Sequence, residues 1–241
     1  MEFYEAISKY YDNIFPVGDE QIRFLKEVLG TPPKSVLDIA CGTGGYSLEL
    51  AMQGYNVTAV DLDAQMVHQL GTKVQKEGHS VKFMQANMLD LDSKLSEKFN
   101  LAFCIGNSIA HLENMLQIKE FLSSAKKVME NDGSLVLQII NFDRIILRDI
   151  KSLPTIEDEK LGLTFERNYS YDKQGNTIYF KTKLSVDGKV LENEIPLYPL
   201  RQDEIVEAVT DAGFKNLRMF GDFNGSEFDK YNSFMLVLWA R

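Results

Sequence analysis

A glycine cluster between two aspartates is the part of this sequence whose residue types could do chemistry. Asp38 precedes the glycines Gly42 and Gly44, and Asp61 ends the next apolar run. Glycine has no Cβ to obstruct a ligand and adopts backbone conformations that other residues avoid. An aspartate about 20 residues beyond such a glycine, at the end of the next strand, can accept hydrogen bonds from both hydroxyls of a ribose. The spacing therefore predicts a site for a nucleoside-like ligand.

The residues around the glycines discriminate between two kinds of nucleoside ligand. A dinucleotide-binding loop has the pattern G-x-G-x-x-G, but here Ser47 stands where the third glycine belongs. The carboxylate of Asp38, four residues before Gly42, would repel a pyrophosphate and attract a cation. S-adenosylmethionine combines an adenosine, a ribose and a positive charge, and it fits both observations. An NAD-dependent oxidoreductase is the less favoured functional alternative. The structural alternative is that the glycines form a plain βα turn.

The apolar pattern over 1–140 predicts the elements that position this loop. Near-continuous apolar runs suit strands of a parallel sheet covered on both faces. The segment 114–131 has apolar residues at helical spacing, and the turn sequence Asn131-Asp132-Gly133 is expected to end that helix. Alternating strands and helices predict right-handed βαβ units in a doubly wound, Rossmann-like, mostly parallel α/β sheet of seven strands. The first five predicted strands are 35–40, 56–61, 80–86, 100–106 and 134–140.

The pattern changes after about residue 150. Segments rich in β-branched and aromatic residues, separated by turn-like sequences, predict a small antiparallel β insertion over 151–200. A helix at 201–214 and two last strands are expected to return to the main sheet. The sequence thus predicts one domain made of 1–150 and 201–241, with 151–200 inserted into it as a lid.

Composition and charge exclude several classes of function. The formal net charge is −9 and the basic residues are scattered, which disfavours binding to nucleic acid or to an anionic membrane. No segment approaches the ~20 apolar residues of a membrane span. The two cysteines, Cys41 and Cys104, lie in apolar runs without a nearby CxxC or histidine cluster. We expect a cytoplasmic protein without a metal site, in which both cysteines are core residues.

Four segments resemble the class I S-adenosylmethionine-dependent methyltransferases. VLDIACGTGGYSLELA (36–51) and VTAVDLDAQMV (57–67) are similar to the glycine-rich motif and the acidic-loop motif of that family, and MQANMLDL (84–91) is similar to the segment after the third strand. FNLAFCIGNSIAHL (99–112) resembles the fourth-strand motif of glycine N-methyltransferases and sugar N,N-dimethyltransferases, most specifically in GNSxAHL. The resemblance covers most of the range 1–140, the final helix and the last two strands.

The resemblance implies which residues contact S-adenosylmethionine. It assigns Asp38 and the loop from Ala40 to Gly44, including Gly42, to the methionine part, and Asp61 to the ribose. Asn87 and Met88 are expected beside the adenine, with Asn87 in the place of the family's frequent aspartate. The remaining predicted contacts at strand ends are Leu62, Ile105 and Gly106. Asp61 has a structural alternative as a helix N-cap, although Asp63 is better placed for that role.

His111 is the candidate catalytic residue. In the related sugar N-methyltransferases the matching histidine lies beside the substrate amine, so His111 is either a general base or an orienting or helix-capping residue. The N-terminal segment resembles a leading helix and lid, and Tyr11 is the preferred cofactor contact there. Tyr4 and Tyr10 could equally pack the first helix onto the sheet.

The expected activity is methyl transfer from S-adenosylmethionine to a small molecule. An amine nitrogen is the favoured acceptor, because the acidic protein suits a small or cationic substrate and the tetrapeptide typical of base or amide methylation is absent. The alternative from another functional class is a protein that binds S-adenosylmethionine without catalysis. The sequence does not indicate the oligomeric state.

Overall fold

The chain folds into two β-sheets with helices packed around the larger one. The computed structural model describes residues 7–241. The larger sheet contains seven strands in the order β10-β11-β5-β4-β1-β2-β3, and the smaller contains four in the order β6-β7-β8-β9. The strands are β1 (Ser35–Ile39), β2 (Asn56–Asp61), β3 (Val81–Gln85), β4 (Phe99–Cys104), β5 (Met129–Ile140), β6 (Ser152–Asp158), β7 (Leu163–Asp172), β8 (Thr177–Val186), β9 (Lys189–Leu197), β10 (Arg218–Phe220) and β11 (Met235–Ala240).

The larger sheet confirms the predicted doubly wound fold. Strands β1 to β5 pair in parallel, and only β11 and β10 run antiparallel to their neighbours. Strand order reverses between β1 and β4, so the loops after these two strands meet at one edge of the sheet. Each face of the sheet carries its own buried apolar cluster, as the continuous apolar runs of the sequence predict.

Eight α-helices are found in the described part of the chain. They are α1 (Tyr11–Ile14), α2 (Asp19–Leu29), α3 (Gly45–Met52), α4 (Ala64–Glu77), α5 (Leu91–Lys94), α6 (Met115–Lys127), α7 (Phe142–Leu147) and α8 (Gln202–Asp211). Short 3₁₀ turns cover Ser8–Tyr10, Met88–Asp90 and Ser108–His111. Two caps explain where the helices beside the site begin: Asp63 accepts hydrogen bonds from Gln65 N and Met66 N at the start of α4, and Asn114 accepts one from Gln117 N at the start of α6.

The prediction that Asn131-Asp132-Gly133 ends a helix was wrong. Helix α6 ends at Lys127, and these three residues lie within β5. The pairing of β4 with β5 shifts register between Phe99 and Leu101, and this irregularity accommodates the turn-forming residues inside the strand. Gly133 is required there, because a Cβ would lie 2.8 Å from the carbonyl oxygen of Phe99.

The antiparallel insertion has one strand more than the sequence segments suggested. Strands β7, β8 and β9 correspond to the three aromatic and β-branched segments, and β6 adds an edge strand over Ser152–Asp158. Pro154 and its acidic and polar neighbours make this segment look like a loop. Its place at the edge of the sheet tolerates a proline, which cannot donate a backbone hydrogen bond.

The N-terminal segment packs against the insertion. Ile7 and Ile14 are buried in a cluster with Leu163, Phe165 and Leu184. The Tyr10 hydroxyl donates to Asp187 Oδ2 at 2.7 Å, and Asn13 Nδ2 donates to Asp158 Oδ2 at 3.3 Å. Tyr10 therefore has the packing role that was its alternative, whereas Tyr4 lies outside the described residues.

Candidate active site

A cavity of about 720 Å³ lies at the carboxyl ends of the parallel strands. Its volume is within the range of roughly 300–1,000 Å³ that is typical of small-molecule sites. Most of the residues predicted from the sequence line it, and they come from several separate segments of the chain. These residues are Tyr11, Ala40, Gly42, Asp61, Leu62, Asn87, Met88, Gly106 and His111.

Asp61 connects the glycine loop to the next helix. Its Oδ2 accepts a hydrogen bond from Gly42 N at 2.7 Å, and its Oδ1 accepts one from Asp63 N at 2.9 Å. Asp63 caps α4 itself, so the alternative in which Asp61 is the helix cap is not needed. Burial raises the pKa of Asp61, while these backbone donors oppose the shift. The carboxylate is therefore held in one orientation at the cavity wall.

The glycine loop has a backbone that other residues resist. Gly42 has φ +56°, and Ala40 adopts a φ of +58° although it carries a Cβ. Such a conformation costs a non-glycine residue about 1–2 kcal/mol. A Cβ on Gly42 would lie 2.9 Å from Cε1 of Tyr11, so the glycine is needed for the close approach of the N-terminal segment as well.

Replacing Gly42 with Ala should weaken the cofactor site beyond its effect on stability. We expect affinity for S-adenosylhomocysteine to fall about tenfold or more, since Tyr11 must move away from the loop. Gly78→Ala is the matched control, because Gly78 has φ +72° but no heavy atom within 4 Å of its added Cβ. Calorimetric titration should show normal affinity for Gly78→Ala. Thermal unfolding should show a loss of stability in both variants, and the loss should be larger in Gly42→Ala because its Cβ also displaces Tyr11. Equal affinities would contradict the prediction.

Three predicted cofactor contacts lie behind the cavity wall. Asp38 is 3% exposed, and its Oδ2 accepts a hydrogen bond of 2.6 Å from the hydroxyl of Ser47 in α3. Gly44 caps the start of α3 against Leu70, and Ile105 packs into one of the two apolar clusters of the sheet. None of the three is among the described residues that line the cavity. Their direct contact with a ligand stays a prediction.

Asp38 can still act on the cavity through its charge. Burial raises its pKa to about 7, the hydrogen bond from Ser47 opposes the shift, and Asp61 adds to it. A nearby cation would favour the ionised form and lower that pKa again. The electrostatic field of the Asp38 carboxylate can therefore produce the expected preference for positive charge at this end of the cavity without contact with the ligand.

Asn87 and Met88 stand where the adenine was expected. Asn87 Oδ1 accepts a hydrogen bond from Leu89 N at 3.0 Å and so caps the short 3₁₀ turn that follows. Its amide nitrogen can donate to a ring nitrogen of a ligand. Met88 is partly buried against the core and also borders the cavity, and its contact with the adenine stays a prediction.

The loop after β4 brings His111 to the wall of the cavity. Gly106 N donates to Gln138 Oε1 at 2.7 Å, and Asn107 Oδ1 accepts from Ile140 N at 2.9 Å. These two bonds hold the loop on β5, and Asn107 adopts φ +69° to make the turn. His111 ends the 3₁₀ turn Ser108–His111, and burial lowers its pKa to about 4. Its imidazole is therefore neutral at physiological pH.

Several parts of the cavity wall were not found from the sequence. Asn193, Ile195 and Pro196 of β9 line it, and Tyr198 N donates to the carbonyl oxygen of Ala110, next to His111, at 2.8 Å. Gln138, which orients the Gly106 amide, was also missed. No local motif marks these residues, because β9 reaches the site only through the pairing of the insertion.

The N-terminal segment is tied to the glycine loop by a carboxylate. Thr43 Oγ1 donates to Asp12 Oδ1 at 2.5 Å, and Lys73 Nζ of α4 lies 2.6 Å from Asp12 Oδ2. Thr43 is 2% exposed, whereas the side chain of Asp12 is 54% exposed, so water reaches this contact from the side of the carboxylate. Together with Tyr11, it closes the cavity on the side of the loop.

Comparison with known proteins agrees with this geometry. A family model described as a methyltransferase domain matches residues 36–133. The glycine/sarcosine N-methyltransferase of Aphanothece halophytica is 26% identical over 200 residues, which cover 83% of this chain and 73% of that protein. These matches identify the chain as an S-adenosylmethionine-dependent methyltransferase.

Solved structures of methyltransferases share the fold along its whole length. A methyltransferase from Clostridium acetobutylicum superposes with a TM-score of 0.83 at 16% identity, covering 99% of this chain and 98% of that one. An amino pentose methyltransferase from Micromonospora echinaspora, solved with S-adenosylmethionine bound, has a TM-score of 0.67 at 16% identity over 100% and 98% of the two chains. Both comparisons include the antiparallel insertion.

S-adenosylmethionine is the cofactor of this methyltransferase, and the cavity fits it. Gly42 lines the cavity without a side chain of its own, and Tyr11, which also lines the cavity, packs 2.9 Å from the place of its missing Cβ. The partly buried carboxylate of Asp61 borders the cavity where a ribose needs an acceptor. Which residues contact each part of the cofactor stays a prediction.

Other features of the methyltransferase bear on its chemistry. Burial raises the pKa of Cys41 and of Cys104, so neither thiol is an activated nucleophile. Among residues 7–241, no group of three or more side chains is arranged to hold a metal ion. None of the described helices has the length and apolar character needed to cross a membrane.

Proposed function

We propose that this enzyme methylates the amine nitrogen of a small molecule. The observation that carries the proposal is the neutral, partly buried imidazole of His111, which shares one cavity with the loop and carboxylate of the cofactor end. The relative from Aphanothece halophytica is named a glycine/sarcosine N-methyltransferase, and the amino pentose methyltransferase shares the fold. Both names are consistent with an amine acceptor.

The charge of the cavity supports an amine over an anionic nucleophile. Asp61, Asp63 and Glu113 border it, and the described lining residues include no lysine or arginine. Glu194 also borders it but forms an ion pair with Lys181 at 2.8 Å. A carboxylate arriving as the nucleophile would meet like charges, whereas an amine in equilibrium with its ammonium form would be attracted.

The proposed role of His111 is to orient the acceptor. Bound S-adenosylmethionine supplies a methyl group that its positively charged sulfur already activates. A neutral imidazole can accept a hydrogen bond from an amine N–H, which fixes the direction of the nitrogen lone pair. With a pKa of about 4, His111 is too weak a base to deprotonate an ammonium group. This favours the orienting role over the general base, and Tyr11 and β9 would exclude water around the reacting atoms.

A labelled-methyl assay tests the proposal directly. The enzyme is incubated with methyl-labelled S-adenosylmethionine and separate sets of primary amines, carboxylic acids and phenols. We expect transfer to amines alone. Transfer only to carboxylic acids or phenols would refute the amine acceptor, and clear cofactor binding with no transfer to any set would favour the non-catalytic alternative.

The pH dependence of turnover should follow the acceptor rather than His111. Because burial lowers the pKa of His111 from 6.5 to about 4, the imidazole stays neutral above about pH 5 and contributes no ionisation near neutrality. We expect kcat/KM to rise about tenfold per pH unit and level off at the pKa of the amine, which for common amines lies between about 8 and 10. An inflection near pH 6.5 that disappears in His111→Gln would show that His111 does act as a base.

A further inference from the structure

A row of polar residues crosses the inner face of the antiparallel sheet. On one side of the row this face carries Phe165 and Leu184, which pack on the N-terminal segment. On the other side Tyr169 and Ile178 join the core of the main sheet. The row itself consists of Arg167, Thr182 and Asn193, here called the polar row. A polar row between two apolar clusters has no evident packing purpose.

Strand register places the three residues side by side. Arg167 is paired with Thr182 across β7 and β8, and Thr182 is paired with Asn193 across β8 and β9. Directly opposed residues in a sheet point to the same face, and neighbouring strands lie about 4.8 Å apart. The polar row is therefore continuous and, over three strands, spans about 10 Å.

Each member of the polar row has a buried polar atom that finds no partner among residues 7–241. These atoms are Nε of Arg167, Oγ1 of Thr182 and Nδ2 of Asn193. Thr182 is only 3% exposed. An unsatisfied buried polar group costs about 1–3 kcal/mol, so three of them in adjacent positions call for a ligand that pairs with them.

No counterion for Arg167 is found within the described part of the chain. Its Nη2 donates to the carbonyl oxygen of Pro154 at 2.7 Å, which is a neutral partner. The ion pairs found among residues 7–241 do not include Arg167. Burial lowers the pKa of its guanidinium, which shows the cost of removing this charge from water. A half-buried cation without a counterion indicates an anionic partner.

The polar row ends at the acceptor side of the active-site cavity. Asn193 lines that cavity together with Ile195 and Pro196, and the backbone of Tyr198 is bonded to Ala110, the neighbour of His111. An acceptor with its amine beside His111 would therefore extend toward β9. The three unpartnered atoms are covered by neighbouring side chains, so the sheet must open slightly from the cavity before a ligand reaches Arg167.

We propose that the polar row binds an oxyanion of the acceptor, so that the methylated amine belongs to a molecule that also carries a carboxylate or a phosphate. All three side chains can donate hydrogen bonds, and a guanidinium is well matched to either oxyanion. The described lining of the cavity has no cation of its own, so the polar row supplies the missing positive charge. This inference rests on the amine acceptor proposed above.

A binding experiment tests the polar row without any methyl transfer. The enzyme saturated with S-adenosylhomocysteine is heated in sodium phosphate and in sodium chloride of equal ionic strength. We expect phosphate to raise the unfolding midpoint of the wild type more than that of Arg167→Met, because the general stabilising effect of phosphate acts on both enzymes. The matched control is Lys183→Met, which removes the same charge from the outer face next to Thr182, where Lys183 Nζ lies 3.7 Å from Glu166 Oε1. A phosphate shift in Arg167→Met equal to that of the wild type would overturn the proposal.

The same variants reveal whether the polar row is merely structural. Arg167→Met loses the hydrogen bond to the carbonyl oxygen of Pro154 but also removes a half-buried charge, and Thr182 Oγ1 has no partner among residues 7–241 to lose. Arg167→Met and Thr182→Val should therefore unfold in chloride close to the wild-type temperature or above it. A clear loss of stability in both variants would assign the polar row to the fold instead.

Kinetics with three simple amines test the substrate class. Sarcosine carries a carboxylate, phosphoethanolamine a phosphate, and ethanolamine neither. We expect the wild type to prefer one of the first two, and Arg167→Met to raise KM for that acceptor by about 10- to 100-fold with a smaller change in kcat. Lys183→Met should keep the wild-type KM, and ethanolamine should be used equally by all three enzymes.

The two proposals fail differently in this assay. Absence of transfer to any amine, with binding of phosphate intact, would refute the amine acceptor. Preference for ethanolamine, or an unchanged KM in Arg167→Met, would refute only the oxyanion site. A preference for sarcosine or for phosphoethanolamine identifies which oxyanion the polar row recognises.

Discussion

Replacement of Asp61 by Ala should weaken binding of S-adenosylhomocysteine by about 100-fold or more. Each of the two proposed hydrogen bonds from the ribose hydroxyls to the ionised carboxylate of Asp61 contributes about 1.5–3 kcal/mol. The same carboxylate holds Gly42 N and Asp63 N, so its removal also releases the glycine loop. Calorimetric titration of the variant with S-adenosylhomocysteine measures the loss.

A neighbouring acid provides the control for the Asp61 experiment. Asp90 is exposed and does not line the cavity, so Asp90→Ala makes the same change in net charge without touching the site. Its affinity should equal that of the wild type. The affinity of Asp61→Asn for S-adenosylhomocysteine should fall between those of Asp61→Ala and the wild type, because an amide oxygen can still accept one hydrogen bond. If Asp61→Ala binds within a factor of about three of the wild type, the carboxylate is not a cofactor ligand.

Replacement of His111 by Ala should lower kcat by about 100-fold while leaving cofactor affinity near the wild-type value. The imidazole is proposed to orient the amine, and loss of alignment costs about two orders of magnitude in rate. The cofactor end of the cavity is built from other segments, so affinity for S-adenosylhomocysteine should not change. Single-turnover methyl transfer measured with saturating amine separates this effect from product release.

Two further histidine variants make that result specific. His68 is exposed on α4, and His68→Ala should retain full turnover. His111→Gln keeps a hydrogen-bonding group in the cavity and should recover part of the rate. Unchanged turnover in His111→Ala would remove the residue from the mechanism, and a parallel fall in cofactor affinity would make it a structural residue.

The main sheet could be predicted because its signals are local. Strands such as 56–61 are continuous apolar runs between glycines and polar residues, and the observed β2 has the same bounds. The glycine loop and Asp61 belong to one short stretch of sequence, 38–61. The structure of such segments and their place at the cavity follow from residue type and spacing. Their prediction therefore does not require contacts between residues that are distant in the sequence.

The residues that were missed depend on contacts across the chain. Asn193 reaches the cavity only because β9 pairs with β8 and returns to Ala110. Asp38 was expected at the ligand because of the motif and its charge, and that contact stays a prediction; its hydrogen bond from Ser47 of α3 could not be read from the motif. A motif shows which backbone segment forms the site. The direction of each side chain depends on contacts with residues that are distant in the sequence.

The double attachment of the N-terminal segment has a consequence for the order of events in each catalytic cycle. Asp12 bonds to Thr43 beside the cofactor end, while Tyr10 and Asn13 bond to residues of the antiparallel sheet. The segment therefore cannot swing away from one partner without straining its hold on the other. We expect loss of either attachment to loosen the other, so that exchange of the cofactor and release of the product are coupled through this segment.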